Sequence, residues 1–165
     1  MSDAFDQWVQ WFRKSRGDRR SIPAHLYSAV MSLSELERSD RNKVNEAVRR
    51  RNEARREGRA VWLYLNDYEN GTFRTLGDPD WIKVFASADA ADRWLAQHDP
   101  EGAAWEHEVA GGRAQRSVWV CSPDPASRAI GDPAWIKLFA SKESAQEWVE
   151  INDPKRKISE YPVQQ

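Results

Sequence analysis

Apolar residues along the first part of the chain recur at helical spacing. The first set follows i, i+3, i+4, i+7 spacing, and its members are Phe5, Trp8, Val9 and Phe12. Pro23 favours the opening of a short second helix, because a first helical turn tolerates proline. A longer helix is predicted over 40–57, with Gly58 as the residue that ends it. Residues 1–58 are therefore predicted to form a helical N-terminal segment.

Beyond residue 58 the pattern changes to short apolar runs bounded by turn residues, which predicts strands. The predicted elements come in the same order twice: strand, strand, helix, strand. The first set covers 61–65, 81–86, 88–98 and 103–109. The second set covers 118–121, 135–140, a helix that Ser141 caps, and 158–163.

The two sets share one stretch of sequence. Gly77–Ser87 and Gly131–Ser141 are identical at nine of eleven positions, which indicates an internal duplication. The chain is then divided into a helical segment at 1–58, one β-β-α-β repeat at 59–110 and a second at 117–165. The predicted fold class is α+β, with the two tandem repeats forming a pseudo-symmetric body. The duplication also aligns His107 with Tyr161.

Each repeat has a predicted strand arrangement. A helix between its second and third strands makes those two strands parallel, through the usual right-handed crossover. The first strand is then expected to lie between them, antiparallel to both. Strand alternation is expected to turn Ile82 and Val84 towards the helix. A unit of about 50 residues is marginally stable alone, so the two copies are expected to bury surface against each other.

The opposite strand face combines aromatic rings with one lysine in each repeat. Its members are Trp81, Lys83 and Phe85, and then Trp135, Lys137 and Phe139. Aromatic stripes are most often core, but a lysine on the same face favours solvent or a partner. Such a face suits a peptide, a base or a sugar ring. We predict a non-enzymatic binding or adaptor module that uses this face for a protein partner or for self-association. Further contact surfaces are predicted at the 66–76 and 123–130 loops and at the N-terminal aromatic helix.

Charge is divided unevenly along the chain, with +5 over residues 1–60 and −6 over residues 61–165. The long predicted helix is rich in cations that suit phosphate contacts, namely Lys43, Arg49, Arg50, Arg55, Arg56 and Arg59. Nucleic-acid binding through residues 41–59 is therefore the alternative function. Glutamates interleave at i, i+3 and i, i+4 spacing, which is typical of a solvated, self-paired helix. Packing of the arginines on the acidic repeats is a further interpretation.

Composition argues against several other classes. His25, His98 and His107 are the only histidines, and none stands at metal-ligand spacing from Cys121 or from another histidine. We expect no metal, no cofactor and no catalytic residue. Glu106 and Glu160 match each other in the duplication and are expected to face solvent from mid-strand. Without a signal peptide or an apolar run of about 20 residues, a cytoplasmic protein with no membrane contact is expected.

One set of short motifs resembles those of short uncharacterised proteins of alphaproteobacterial type. The matching residues are Val84–Ser87, Ala91, Trp94, Asp99–Gly102 and Trp105-Glu106, together with Ile22–Ala24 and Asn45–Arg49 near the start. The second copy departs from the pattern at Lys155-Arg156. The resemblance implies a bacterial source and no particular activity.

Overall fold

The computed structural model describes residues 2–14, 24–66, 76–122 and 136–165. Its helices are α1 (Ala4–Lys14), α2 (Ala24–Met31), α3 (Arg41–Arg56), α4 (Ala88–His98) and α5 (Lys142–Asn152). Its strands are β1 (Ala60–Leu65), β2 (Ile82–Phe85), β3 (Ala104–Ala110), β4 (Ser117–Ser122), β5 (Lys137–Phe139) and β6 (Lys157–Gln164). Helices and sheet in one chain confirm the α+β class. The 123–130 loop, most of the 66–76 loop and Trp135 lie outside the described residues.

Helices α1, α2 and α3 pack around one apolar cluster. Its buried members are Trp8, Leu26, Ala29, Val30, Val44 and Val48. Asp40 begins α3, since its carboxylate accepts hydrogen bonds from the backbone N–H groups of Asn42 and Lys43. Gly58 follows the helix with a φ of 70°, which is the left-handed conformation that glycine adopts without strain. The predicted bounds of this helix and its terminating glycine are confirmed.

The six strands close into a barrel in the order β1-β2-β6-β4-β5-β3. Strand β1 lies between β2 and β3 and is antiparallel to both, which confirms the predicted placement of that strand. Strand β4 lies between β5 and β6 in the same way. Two short parallel seams complete the barrel. Val84 pairs with Val163 where β2 meets β6, and Val109 pairs with Leu138 where β3 meets β5.

The barrel interior is mainly aliphatic, with Trp81 and Tyr161 as its buried rings, and further aromatic rings lie on the outside. Val84 and Leu138 belong to the interior cluster, whereas Phe85 packs beneath α4 and Phe139 beneath α5. The prediction that Ile82 and Val84 face the helix is therefore wrong. A closed barrel of six strands has a narrow interior that branched aliphatic side chains fill. The Phe85 and Phe139 rings lie outside, where a helix covers each of them.

The helical segment docks on the barrel through a buried carboxylate. The Glu106 side chain is 1% exposed, and both of its oxygens accept hydrogen bonds from Arg55 at 2.9 Å. The Arg55 guanidinium also lies over the Trp62 ring, 5.8 Å from its centroid. The predicted exposure of Glu106 is wrong because α3 covers this face of β3, whereas Glu160 on β6 is exposed as predicted.

Candidate ligand-binding cleft

The described aromatic rings of the predicted binding face lie inside the molecule. Trp81 is 2% exposed and belongs to the barrel interior. Phe85 and Phe139 are 1% and 3% exposed, because α4 and α5 cover them. Trp135 lies outside the described residues. The described rings are therefore core and form no exposed aromatic face for a protein partner, although Phe139 also lines the cleft described below.

The two lysines of that face are held separately. The Lys83 Nζ donates to the Pro79 carbonyl oxygen at 2.7 Å and lies 3.3 Å from an Asp80 carboxylate oxygen. The Lys137 Nζ lies 5.3 Å from the centroid of the Trp148 ring on α5, in cation–π contact. Lysine stems of this kind run along apolar surface and keep the ammonium wet, so each lysine is compatible with a covered strand.

Most arginines of the basic helix are engaged within the protein. Arg49 bonds Glu46 and Glu53, at 2.6 and 2.7 Å, and Arg55 bonds Glu106. Arg59, which follows the helix, bonds Glu57 and Glu108. The predicted phosphate-contacting set also includes Lys43, which lies 4.0 Å from Glu37, and the exposed Arg50 and Arg56. The Arg49 pairs fit the solvated, self-paired interpretation, and the pairs of Arg55 and Arg59 with β3 fit the packing of arginines on the acidic part of the chain.

A cleft of about 450 Å³ lies where the helical segment meets the barrel. Its charged, polar and aromatic lining includes Arg50, Arg51, His107, Glu108, Lys137 and Trp148. Its apolar lining includes Leu33, Ala47, Ala110, Ile136, Leu138 and Phe139. The volume falls in the range of about 300–1,000 Å³ that is typical of small-molecule sites.

The short seam between β3 and β5 positions this cleft. Among the described residues, two pairs are in register there, Val109 with Leu138 and Ala110 with Phe139. His107 on β3 and Ile136 before β5 both line the opening ahead of those pairs, and α3 adds Arg50 and Arg51 from above. The cleft therefore combines side chains from α3, β3, β5 and α5, which are distant from one another in the sequence.

Burial controls the charge state of His107. Desolvation, with a smaller contribution from the neighbouring Arg51 charge, lowers the pKa of this imidazole from 6.5 to about 4. His107 is therefore neutral at pH 7, with one N–H donor and one acceptor nitrogen. It forms no hydrogen bond with any residue that the structure describes.

Arg51 is a partly buried cation beside that imidazole. Its Nη1 donates to the Glu106 carbonyl oxygen at 2.9 Å, and its Nη2 lies 3.4 Å from the Ser28 carbonyl oxygen. Burial lowers the pKa of Arg51, although the carboxylates of Glu106 and Glu108 act in the opposite direction. The guanidinium stays charged at neutral pH, since its ordinary pKa is far above 7.

Three residues of the cleft are not among the site residues predicted from the sequence, namely His107, Arg51 and Trp148. One signal for the first of them was present, because the predicted duplication aligns this histidine with Tyr161. The Tyr161 hydroxyl oxygen accepts a hydrogen bond from the Gly77 N–H at 2.7 Å, and that ring is 1% exposed. The matching position in β3 is instead partly open to a cleft.

A second depression of about 470 Å³ lies between α1 and α3. Its lining includes Phe5, Val9, Arg13 and Arg41. The Arg41 guanidinium is bonded there to the carboxylates of Asp3 and Asp6, so its charge is already compensated. This depression offers a less suitable ligand site than the cleft at the barrel.

Comparison with models of protein families, with curated proteins and with solved structures finds no match. The resemblance to proteins of alphaproteobacterial type stays a prediction. Across the described ranges, no helix has the length and apolar character that a membrane crossing requires. Within the same ranges, histidine, cysteine and acidic side chains form no group of three that could hold a metal ion.

Proposed function

We propose that this chain is a non-enzymatic binding module whose ligand occupies the cleft between the helical segment and the barrel. The observation that carries the proposal is the convergence of cations from α3 and β5, a neutral imidazole from β3 and an indole from α5 on one cleft. Concave sites with an apolar wall and a few convergent polar groups are the usual form of ligand pockets. The binding role predicted from sequence is thus retained, at a different surface.

We also propose that the barrel halves are copies of one duplicated unit. Matching hydrogen bonds support this at both seams. The Ala86 N–H donates to the Gln164 carbonyl oxygen at 2.8 Å, and the Ala140 N–H donates to the Ala110 carbonyl oxygen at 2.9 Å. The cleft then lies at the β3–β5 seam, which has diverged from the equivalent β2–β6 seam. A functional role of the cleft would account for that divergence.

A fragment screen followed by ¹H–¹⁵N NMR tests the cleft as the binding site. We expect fragments to shift the indole N–H signal of Trp148 and the backbone signals of Arg51 and His107 together, because these residues line one space. Ala110→Phe places a ring in the opening from an exposed position, and we expect it to abolish those shifts.

Gln164→Phe is the matched control, since Gln164 occupies the position equivalent to Ala110 at the other seam. This variant is expected to retain the wild-type shifts. Fragment shifts that map away from the cleft, or that persist in Ala110→Phe, would overturn the proposal. A screen without any shift at the cleft would overturn it as well.

A further inference from the structure

We propose that the cleft binds the carboxylate or phosphate group of a small organic anion, whose apolar part packs against Trp148, Phe139 and Ile136. This inference rests on the proposed function and names the ligand class for the same site. Its basis is the group of three cations that line the cleft, Arg50, Arg51 and Lys137, none of which forms an ion pair with a carboxylate that the structure describes.

Arg51 carries the strongest part of the argument. Its hydrogen bonds go to two neutral carbonyl oxygens, those of Glu106 and Ser28, and the described carboxylates form no ion pair with it. A guanidinium has five N–H donors, so further donors remain for a ligand. Burial disfavours this cation, the carboxylates of Glu106 and Glu108 offset part of that cost from beyond ion-pair distance, and a bound anion would offset more of it.

Arg50 and Lys137 extend the positive lining. Neither forms an ion pair with a carboxylate that the structure describes, and the Lys137 ammonium lies against the Trp148 ring. The acidic group of the lining is Glu108, which Arg59 already holds at 2.6 Å. The cleft therefore presents three cations and one compensated carboxylate. On the exposed side of the same helix, Arg49 is paired with Glu46 and Glu53.

The apolar side of the cleft indicates an organic anion instead of an inorganic ion. Ile136, Leu138, Phe139 and Trp148 form its wall, and about 450 Å³ exceeds the space that one phosphate fills. The neutral imidazole of His107 supplies an N–H donor between the charged and apolar parts. A ring or short chain that carries one anionic group matches this lining.

The test is a titration of the ¹⁵N-labelled full chain with four probes: benzoate, phenyl phosphate, benzyl alcohol and inorganic phosphate. We expect benzoate and phenyl phosphate to saturate the signals of Trp148 and His107. Benzyl alcohol is expected to bind at least about tenfold more weakly, because it lacks the charge that forms strong hydrogen bonds with guanidinium groups. Inorganic phosphate is expected to bind more weakly than phenyl phosphate, since it leaves the apolar wall uncovered.

Arg50→Met and Lys137→Met are expected to weaken benzoate binding by about five- to tenfold each. Neither side chain forms an ion pair among the described residues, so both variants should fold. Arg56→Met is the matched control, because Arg56 is an exposed cation on the same helix that does not line the cleft. It is expected to leave benzoate binding unchanged.

Three results would overturn the inference. If benzyl alcohol binds in the cleft as tightly as benzoate, the ligand does not need a negative charge, although the cleft is still a ligand site. If inorganic phosphate binds as tightly as phenyl phosphate, the apolar part of the proposed ligand contributes nothing to binding. If none of the four probes shifts a cleft signal, the ligand class is wrong, and the fragment screen decides separately whether the cleft is a site.

Discussion

His107 and Tyr161 occupy equivalent positions in the barrel and have different surroundings. His107 pairs in register with Val61 on β1, and Tyr161 pairs with Val118 on β4. The tyrosine hydroxyl is satisfied by the Gly77 N–H, whereas the imidazole lines the cleft without a hydrogen bond to any described residue. The exchange of one ring for a smaller, titratable one therefore changes both the space and the chemistry at that seam.

We expect His107 to make stability depend on pH. Its pKa of about 4 in the folded protein is below the unfolded value of 6.5, so the unfolded chain binds the extra proton between these values. Stability is thus expected to fall as the pH is lowered through this window. His107→Gln removes the effect, and the wild type should lose about 1–2 kcal/mol more than the variant between pH 7 and pH 5.

Urea unfolding at the two pH values measures this difference. The comparison with His107→Gln cancels the contributions of the acidic residues and of the exposed His98, which are the same in both proteins. An equal loss of stability in wild type and variant would show that His107 titrates normally in the folded protein.

At the level of elements, α3 links the helical segment to the barrel through its arginines. Arg55 bonds the carboxylate of Glu106, and Arg51 bonds the backbone of the same residue. One face of the helix is thus fixed to β3, and the opposite face carries the solvated Arg49 pairs. The sequence of this helix is typical of a nucleic-acid-binding element, because the carboxylate partners of Arg55 and Arg59 on β3 are distant in the sequence.

Glu106→Gln is expected to destabilise the protein by about 1–2 kcal/mol, since it removes two charge-assisted hydrogen bonds at a buried position while the partly exposed Arg55 guanidinium stays solvated. Thermal or urea unfolding measures the change. Glu46→Gln breaks a surface pair of Arg49 on the same helix and is expected to cost less than about 0.5 kcal/mol. Similar losses in the two variants would contradict the assigned role of Glu106 as the docking residue.

At the level of the whole molecule, the sequence predicts the elements well and the contacts between the two halves of the barrel poorly. Capping by Ser87 and Ser141, the strands and the order of elements depend on local patterns, and both caps form, each serine accepting an N–H at 3.2 Å. Which face of β2 lies inside depends on whether the two three-stranded sheets pack face to face or join edge to edge into one barrel. Alternation of Val84 and Phe85 gives two apolar faces and does not decide between these arrangements.

The cleft was beyond sequence analysis for the same reason. Arg51, His107 and Trp148 belong to three elements that only barrel closure brings together. The sequence does predict Arg50 and Lys137 as binding residues. It assigns them, however, to two different surfaces, a basic helix and an aromatic strand face. The grouping of charge that defines the cleft is a property of the seam between β3 and β5.

Both seams require strands from each half of the barrel, which predicts how the protein responds to a cut. We expect separately produced fragments 1–112 and 113–165 to be largely unfolded alone and to form a folded complex when mixed. The cut falls after Gly112 in the exposed connection between β3 and β4. Circular dichroism and size-exclusion chromatography measure the outcome.

Substitution of lysine for Val163 in the second fragment is the control, because it places a charge in the seam with Val84. This fragment is expected not to restore folding. A native-like spectrum from either wild-type fragment alone would show that three strands are sufficient and that closure of the barrel is not required.

The pairing of β2 with β6 also affects how fast the protein folds. Val84 and Val163 pair with each other although most of the strand-containing part of the sequence lies between them, so their contact closes a long loop. Contacts of such large sequence separation slow folding, because the entropy of closing the loop is lost before the contact forms. During synthesis β2 emerges well before β6, and its edge stays without a neighbour for that interval. We therefore expect the nascent chain to depend on chaperones more than its modest size suggests.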